Sequence, residues 1–308
     1  MPIFSSEIKE LLPHGLRLDR YVSEDLRLLL RSQIKARNLK AKINGKDVKF
    51  SRTVKQGDML ELSWDDSPPV NIIPENIPLE IIFENDKCIV INKAQGLVVH
   101  PGAGNRQGTL ANALCFLRQN KGEEVNLGGI RPGIVHRLDK ETSGIIIAAW
   151  DEKTHEYLSG QFKSRNVRKN YIAIVNGAPK EEKGKITTFI KRDPKDRKRF
   201  VVSTDGKNAV TFYKVLKNWH THSLLLLKPK TGRTHQLRVH MRHIGCPILG
   251  DPVYASGDKQ FPKARLMLHS KSLFIQLPDK NEESVFSSPV PERFLAIMEK
   301  LDRMNKHG

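Results

Sequence analysis

Between Gly133 and Ala149 the chain reads GIVHRLDKETSGIIIAA, two apolar runs on either side of a charged and hydroxylated segment from His136 to Gly144. Five of the six residues from Gly144 to Ala149 are aliphatic, the composition of a strand covered on both faces. A polar insert so placed sits at the lip of a buried sheet. It reads either as an Asp/Thr/Ser turn with an ion pair between Arg137 and Asp139, or as a segment that carries chemistry. The rest of the chain decides between the two.

At 308 residues the chain predicts two domains more readily than one. A formal net charge of +18 asks for a polyanionic partner. Nucleic acid meets that need through counterion release at each neutralised phosphate, and a membrane surface is the rival. No apolar run reaches the length of a bilayer span, and the start lacks the basic-then-apolar layout of a signal peptide, so a soluble, cytoplasmic protein is expected, without a membrane partner. Cys88, Cys115 and Cys246 are far apart in apolar contexts and read as reduced core residues. His240 with His243, and His220 with His222, are the closest approach to metal-ligand spacing. Neither pair has a third ligand nearby, so no metal is expected.

Residues 1–66, with a core at 14–64, read as a compact basic module. Leu18, Val22, Leu26 and Leu29 recur at helical spacing with Asp19 placed to cap, and Ser32 is placed to cap a second short helix carrying Ile34. Arg17, Arg20, Arg31, Lys35 and Arg37 lie on or near these helices and are the candidate RNA contacts. Asn44-Gly45 predicts a tight hairpin, and Met59 to Leu62 an alternating strand. The unit resembles a small RNA-binding module of ribosomal-protein type found in many RNA-modifying enzymes, although its usual glycine before the hairpin is missing. Asn38 is placed to take the left-handed conformation instead. Residues 67–78 are a proline-rich linker.

Residues 79–308 read as a second domain. Strands are predicted at Glu80–Glu84, Cys88–Asn92 and, shorter, Gly96–His100. Helices are predicted after the caps Thr109, Asp151 (with Tyr157, Leu158 and Phe162 inward) and Thr234 (with Leu237, Met241 and Ile244 inward). Tyr171–Val175, Val210–Leu216, Ser223–Leu227, Arg265–Ser270 and Leu273–Leu277 are further strands, and Phe294 to Leu301 a last helix. Lys121–Gly129 and Lys191–Arg199 read as surface loops. Arg233, at the positive end of a helix, calls for a carboxylate partner.

These stretches together resemble the pseudouridine synthases that modify large-subunit ribosomal RNA and some transfer RNAs. The resemblance rests on Asn92-Lys93 with Gly96 to Pro101, His136-Arg137-Leu138-Asp139 with Thr142-Ser143-Gly144, and Lys169-x-Tyr171. It continues through Thr231 to Arg238, Gly250-Asp251-x-x-Tyr254 and Leu268-His269. It implies an α+β fold with a mixed, largely antiparallel central sheet and flanking helices, preceded by the small N-terminal α/β module.

The resemblance also implies that Asp139 is the catalytic carboxylate. Isomerising a uridine breaks the bond between ring nitrogen and ribose, turns the base and rejoins it through ring carbon five, which a carboxylate assists as nucleophile or base. Arg233 is the guanidinium expected to keep Asp139 ionised in a water-poor pocket. Tyr171 is the expected stacking face for the base, with its hydroxyl able to relay a proton. Arg137 is expected to hold or replace the flipped nucleotide, Leu268 to form an apolar wall, His136 to bond structurally beside the substrate, and Lys169 to contact RNA. The reaction conserves every atom of the RNA, so no cofactor and no metal is implied. Large-subunit ribosomal RNA, or its precursor particle, is the implied partner, and no protein partner is. The rival readings are an inactive RNA-binding or ribosome-assembly factor on the same fold, and a nonspecific DNA-binding protein.

Overall fold

A computed structural model describes residues 2–13, 15–26, 28–29, 34, 38–65, 72–102, 104–122 and 133–306. They divide into two compact units on either side of residues 66–71, which lie outside the described set and include the first five residues of the predicted linker.

The first unit is a four-stranded sheet in the order β1 (Ile3–Glu7), β4 (Met59–Ser63), β2 (Lys40–Ile43), β3 (Lys46–Asp47). β2 and β4 alternate exposed and buried residues, and Ala41, Ile43, Leu60 and Leu62 bury one face against Leu18, Tyr21, Val22 and Ile34. The predicted hairpin turn is present, with Asn44 and Gly45 at φ 52° and 75°. Asn38 is left-handed at φ 46°, as its position requires, and its amide donates to Asp65. The predicted first helix is corrected in two respects. It is a short α1 (Leu18–Arg20) continued by a π-helical turn at Tyr21–Asp25, and Asp19 does not cap it. Arg17 occupies the cap position, and Asp19 accepts from its Nε at 3.0 Å and Nη2 at 3.1 Å. Strand β1 was not foreseen, because Ile3 to Glu7 is nearly all exposed and has no buried alternation to read.

The second unit is a ten-stranded sheet whose main path runs β10 (Phe200–Ser203), β9 (Lys183–Arg192), β11 (Lys207–Trp219), β12 (His222–Pro229), β8 (Arg168–Asn176), β13 (Leu268–Gln276), β7 (Ser143–Ala149), β6 (Cys88–Lys93), β5 (Glu80–Glu84), with β14 (Glu283–Ser287) on β13. Every ladder but one is antiparallel among the described residues. β13 runs parallel to β7 through only two pairs, His269 with Ser143 and Ser270 with Gly144. All seven residues of β7 are buried, as the aliphatic run predicts. The run before the break is not a strand and touches the sheet through one bridge, Ile134 with Ala148. Gly96–His100 is likewise no strand, since only Val98 bridges, to Thr109.

Helices α2 (Leu110–Asn120), α3 (Glu152–Ser164), α4 (Gln236–His243) and α5 (Glu292–Lys306) flank the sheet. Thr109 caps α2 in a reciprocal box with Asn112, and Asp151 caps α3 through the Thr154 N–H at 2.8 Å. On α3, Leu158 is buried, but Tyr157 points outward at 40% exposure, a correction of the inward triplet. Thr234 does not cap α4. That place is held by left-handed His235 (φ 57°), while the Gln236 side chain accepts from the Arg233 N–H at 3.0 Å. The three cysteines are free and buried.

Candidate active site

The segment from His136 to Thr142 crosses the end of the sheet between Val135 and β7, and several bonds hold it there. Thr142 N–H donates to the Asp139 carbonyl at 3.1 Å and closes a turn. Gln95 Nε2 donates to the carbonyls of Glu141 and Leu266, both at 2.9 Å, and Arg265 pairs with Glu141 at 2.9 Å. At the entry to β7, Gly144 (φ 110°) lies so close to β13 that a Cβ would stand 2.2 Å from the Ser270 carbonyl oxygen. Only glycine allows that approach.

Lys93, without exposed surface, donates from Nζ to the carbonyls of Ala94 and Leu97 at 2.9 Å and of Lys140 at 3.2 Å. Burial pushes its ammonium down to about 7, against the attraction of Glu141 and Asp139. A buried amine thus ties the strand before the site to the residue after Asp139.

The turn borders a cleft of about 460 Å³. His136, Arg137, Asp139, Lys169, Tyr171, Arg233 and Leu268 all line it, so residues dispersed over 130 positions of sequence meet at one place. Tyr171 on β8 is 8% exposed, and burial raises its phenol to about 12, with Asp139 adding to the shift and a hydrogen bond from Ser270 opposing it. Leu268 at the start of β13 is buried and forms an apolar wall. Arg137 is exposed at the rim. Lys169 faces the cleft, its Nζ 5.5 Å from the Phe162 ring centroid, with its ammonium lowered by burial.

His136 stacks on Phe162 with centroids 4.4 Å apart, and its Nε2 accepts the Ile147 N–H at 3.1 Å. Burial pushes its pKa down to about 3, so the ring is neutral and serves as a bracket between turn and strand.

The guanidinium beside Asp139 is Arg238, not Arg233. Arg238 Nη1 lies 3.6 Å from Asp139 Oδ2, whereas Arg233 donates from Nε to the Asn208 carbonyl at 3.0 Å and finds a backbone oxygen where a carboxylate was expected. Arg238 is 5% exposed and forked onto Asp251, with Nε–Oδ2 at 2.7 Å and Nη2–Oδ1 at 2.8 Å. Its carbon Cζ also lies 5.1 Å from the Tyr254 ring centroid. His235 adds a second nitrogen, Nε2 at 3.9 Å from Asp139 Oδ2, while its Nδ1 is 2.9 Å from the Tyr254 hydroxyl. Burial lowers the His235 pKa, with Asp139 pulling the other way.

Sequence reasoning passed over Arg238, His235 and Asp251 although all three stand in stretches singled out above. The available signal was helical spacing: Arg238 is three residues before the inward-facing Met241, so a charged residue was committed to the buried side of α4.

Of the module residues named as RNA contacts, Arg17 is engaged with Asp19 and Arg20 with Glu24 at 2.9 Å, while Arg31, Lys35 and Arg37 lie outside the described residues. Ser32 and residues 123–129 of the predicted loop do as well. Among the described residues, no group of three or more His, Cys, Asp or Glu side chains is placed to hold a metal, and no helix is long and apolar enough to cross a membrane.

Comparison with known proteins bears on the same residues. The profile of the RNA pseudouridylate synthase family matches residues 87–243, which include the turn, β8 and α4. The chain is 45% identical over 302 residues to the ribosomal large subunit pseudouridine synthase D of Borreliella burgdorferi, covering 95% of this chain and 92% of that protein. It is 35% identical to the protein of the same name from Xanthomonas campestris pv. campestris, covering 93% and 89%. Among solved structures, the human RNA pseudouridylate synthase domain containing 4 protein superposes with a TM-score of 0.59 at 28% identity, covering 72% of this chain and 93% of that one.

Proposed function

Because the chain belongs to the RNA pseudouridine synthase family, isomerases that act on RNA, we propose that it converts specific uridines of large-subunit ribosomal RNA to pseudouridine with Asp139 as the reacting carboxylate. The observation that carries this reading is the placement of Asp139 beside the Arg238 guanidinium, in a cleft that Tyr171 also lines. A carboxylate so placed can attack the base or the ribose, or remove a proton, with a guanidinium beside it.

Each neighbour has a part. The Tyr171 ring offers a face for the extruded base, and with its phenol raised to about 12 the hydroxyl stays protonated at neutral pH, as a donor. Leu268 walls the apolar side. Arg137 at the rim meets the phosphate of the flipped nucleotide or fills the space it leaves, and Lys169 neutralises a further phosphate. Arg233, fixed by Asn208, borders the same cleft as a positive wall to the RNA.

The first unit, residues 1–66, acts as an RNA-binding module joined by the 67–78 linker to the catalytic unit at 79–308. Arg31, Lys35 and Arg37 are its phosphate contacts, and Arg17 and Arg20 contribute once RNA competes with their carboxylates. Action on ribosomal RNA or its precursor particle places the enzyme in the cytoplasm.

The test is tritium release from large-subunit ribosomal RNA labelled at ring carbon five of uridine. Wild type should release tritium while Asp139→Asn, which keeps shape and RNA affinity, should not. Turnover by Asp139→Asn would remove the carboxylate from the mechanism. No release by wild type on free RNA or on subunits would leave an RNA-binding assembly factor as the better reading.

A further inference from the structure

Strand register separates two faces of the sheet on the β10 side. Tyr171 stands opposite Leu227, and Leu227 opposite Tyr213, so these three share the cleft face. Thr188 and Thr211 lie on that face too and hydrogen-bond His240 of α4. On the other face, Phe212 pairs with Lys185 of β9 and Lys228 of β12, Lys214 pairs with Lys183, and Phe189 stands four residues beyond Lys185. All six side chains are exposed, Phe189 at 44% and Phe212 at 37%.

Two phenylalanines left in water on one face are a cost to the isolated chain. The lysines around them say what relieves it. Lys191, farther along β9, is ion-paired to Asp205, but Lys183, Lys185, Lys214 and Lys228 carry no ion pair among the described residues. The Lys185 ammonium stands 5.9 Å from the Phe212 ring centroid. A second copy of this face would set lysine against lysine, so self-association is disfavoured. An exposed sheet that alternates flat aromatic rings with unpaired cations matches a nucleic-acid strand, whose bases stack and whose phosphates need neutralising.

We propose that this face is a second RNA-binding surface, separate from the cleft, which takes an unpaired segment of the substrate with bases stacked on Phe212 and Phe189 and phosphates on Lys183, Lys185, Lys214 and Lys228. The proposal rests on the reading of the chain as an enzyme acting on RNA. The two rings are about 13 Å apart along β9, so they hold non-adjacent bases. RNA leaving the cleft reaches this face around the β10 edge, which ends the sheet.

Two double variants test it, Phe189→Ala/Phe212→Ala and Lys185→Gln/Lys214→Gln, both at exposed positions. Filter binding to a full large-subunit ribosomal RNA transcript is measured across salt concentrations, together with tritium release at saturating enzyme. The aromatic pair should weaken binding by at least about thirtyfold, and the lysine pair should reduce the salt slope by about 1.4. Release from the saturated complex should stay at the wild-type rate. A variant-free check is acetic anhydride labelling of the wild type, in which the RNA should protect the four lysines. Affinity and slope within error of wild type, with equal labelling in the presence and absence of RNA, would overturn the proposal and leave an acidic protein as the occupant. Absence of tritium release by the wild type would strike the isomerase reading alone, because the binding comparison stands without it.

Discussion

Replacing Arg238 by methionine, which keeps much of the volume and removes the charge, separates two consequences of one side chain. The first is structural. Asp251, whose side chain has no exposed surface, loses its fork at 2.7 and 2.8 Å but retains the N–H groups of Val253 at 2.9 Å and Tyr254 at 3.0 Å. Breaking a buried pair from one side costs about 3–5 kcal/mol, and the two remaining donors place this case near 3. The second is catalytic. At 3.6 Å the Asp139–Arg238 attraction is at most about 4.6 kcal/mol with an effective dielectric of 20, and Asp139 is 21% exposed, so solvent screens part of it. A loss of about 2–3 kcal/mol is expected in the transition state, roughly 30- to 150-fold in turnover. Urea unfolding reads the first effect, and single-turnover tritium release at saturating enzyme reads the second. Adding Asp251→Asn removes the stranded charge and should restore about half of the lost stability while restoring none of the turnover. If folded Arg238→Met turns over within threefold of wild type, the electrostatic argument fails.

Gly144→Ala should be destabilised by at least about 3 kcal/mol and lose most turnover, since β7 and β13 must part to admit the Cβ; an urea midpoint equal to wild type would contradict the close approach. Asn38→Val should cost about 1–2 kcal/mol and Asn38→Gly less than about 0.5, as its left-handed φ demands, and equal stabilities would dispense with that turn. His240 and His269, held neutral with pKa values pushed by burial down to about 4 and about 3, bind fewer protons folded than unfolded below pH 6.5. Their contribution is complete above pH 6.5 and lost as pH falls through those values, adding up to about 2.7 kcal/mol per pH unit near pH 5. Urea titrations at pH 7, 6 and 5 measure that slope, which should drop by about one proton in His269→Gln.

What could be read before the structure was local. Caps such as Thr109 and Asp151 act within three residues, the Asn44-Gly45 turn within two, and the aliphatic run of β7 declares its own burial. Asp139, Tyr171 and Leu268 were legible through their motif context and do share the cleft. The exchange of Arg233 for Arg238 was hidden because it depends on how α4 starts. The Gln236 side chain, not Thr234, supplies the first acceptor, and left-handed His235 redirects the chain so that the second arginine reaches Asp139. Strand β9 was missed although Ile186, Thr188 and Ile190 alternate with exposed residues, because the many lysines masked the pattern. The insertion of β13 between β7 and β8 has no local trace at all, since its partners are more than ninety residues away in sequence.

That insertion also sets a timetable for synthesis. The stretch from Leu268 to Gln276 is made after both β7 and β8, yet it occupies the middle of the sheet and links the half carrying Asp139 to the half carrying Tyr171. Until it emerges, a nascent chain has two unjoined half-sheets and no cleft. During synthesis the cleft is therefore absent until this strand has left the ribosome and joined the two halves, however early Asp139 and Tyr171 emerged.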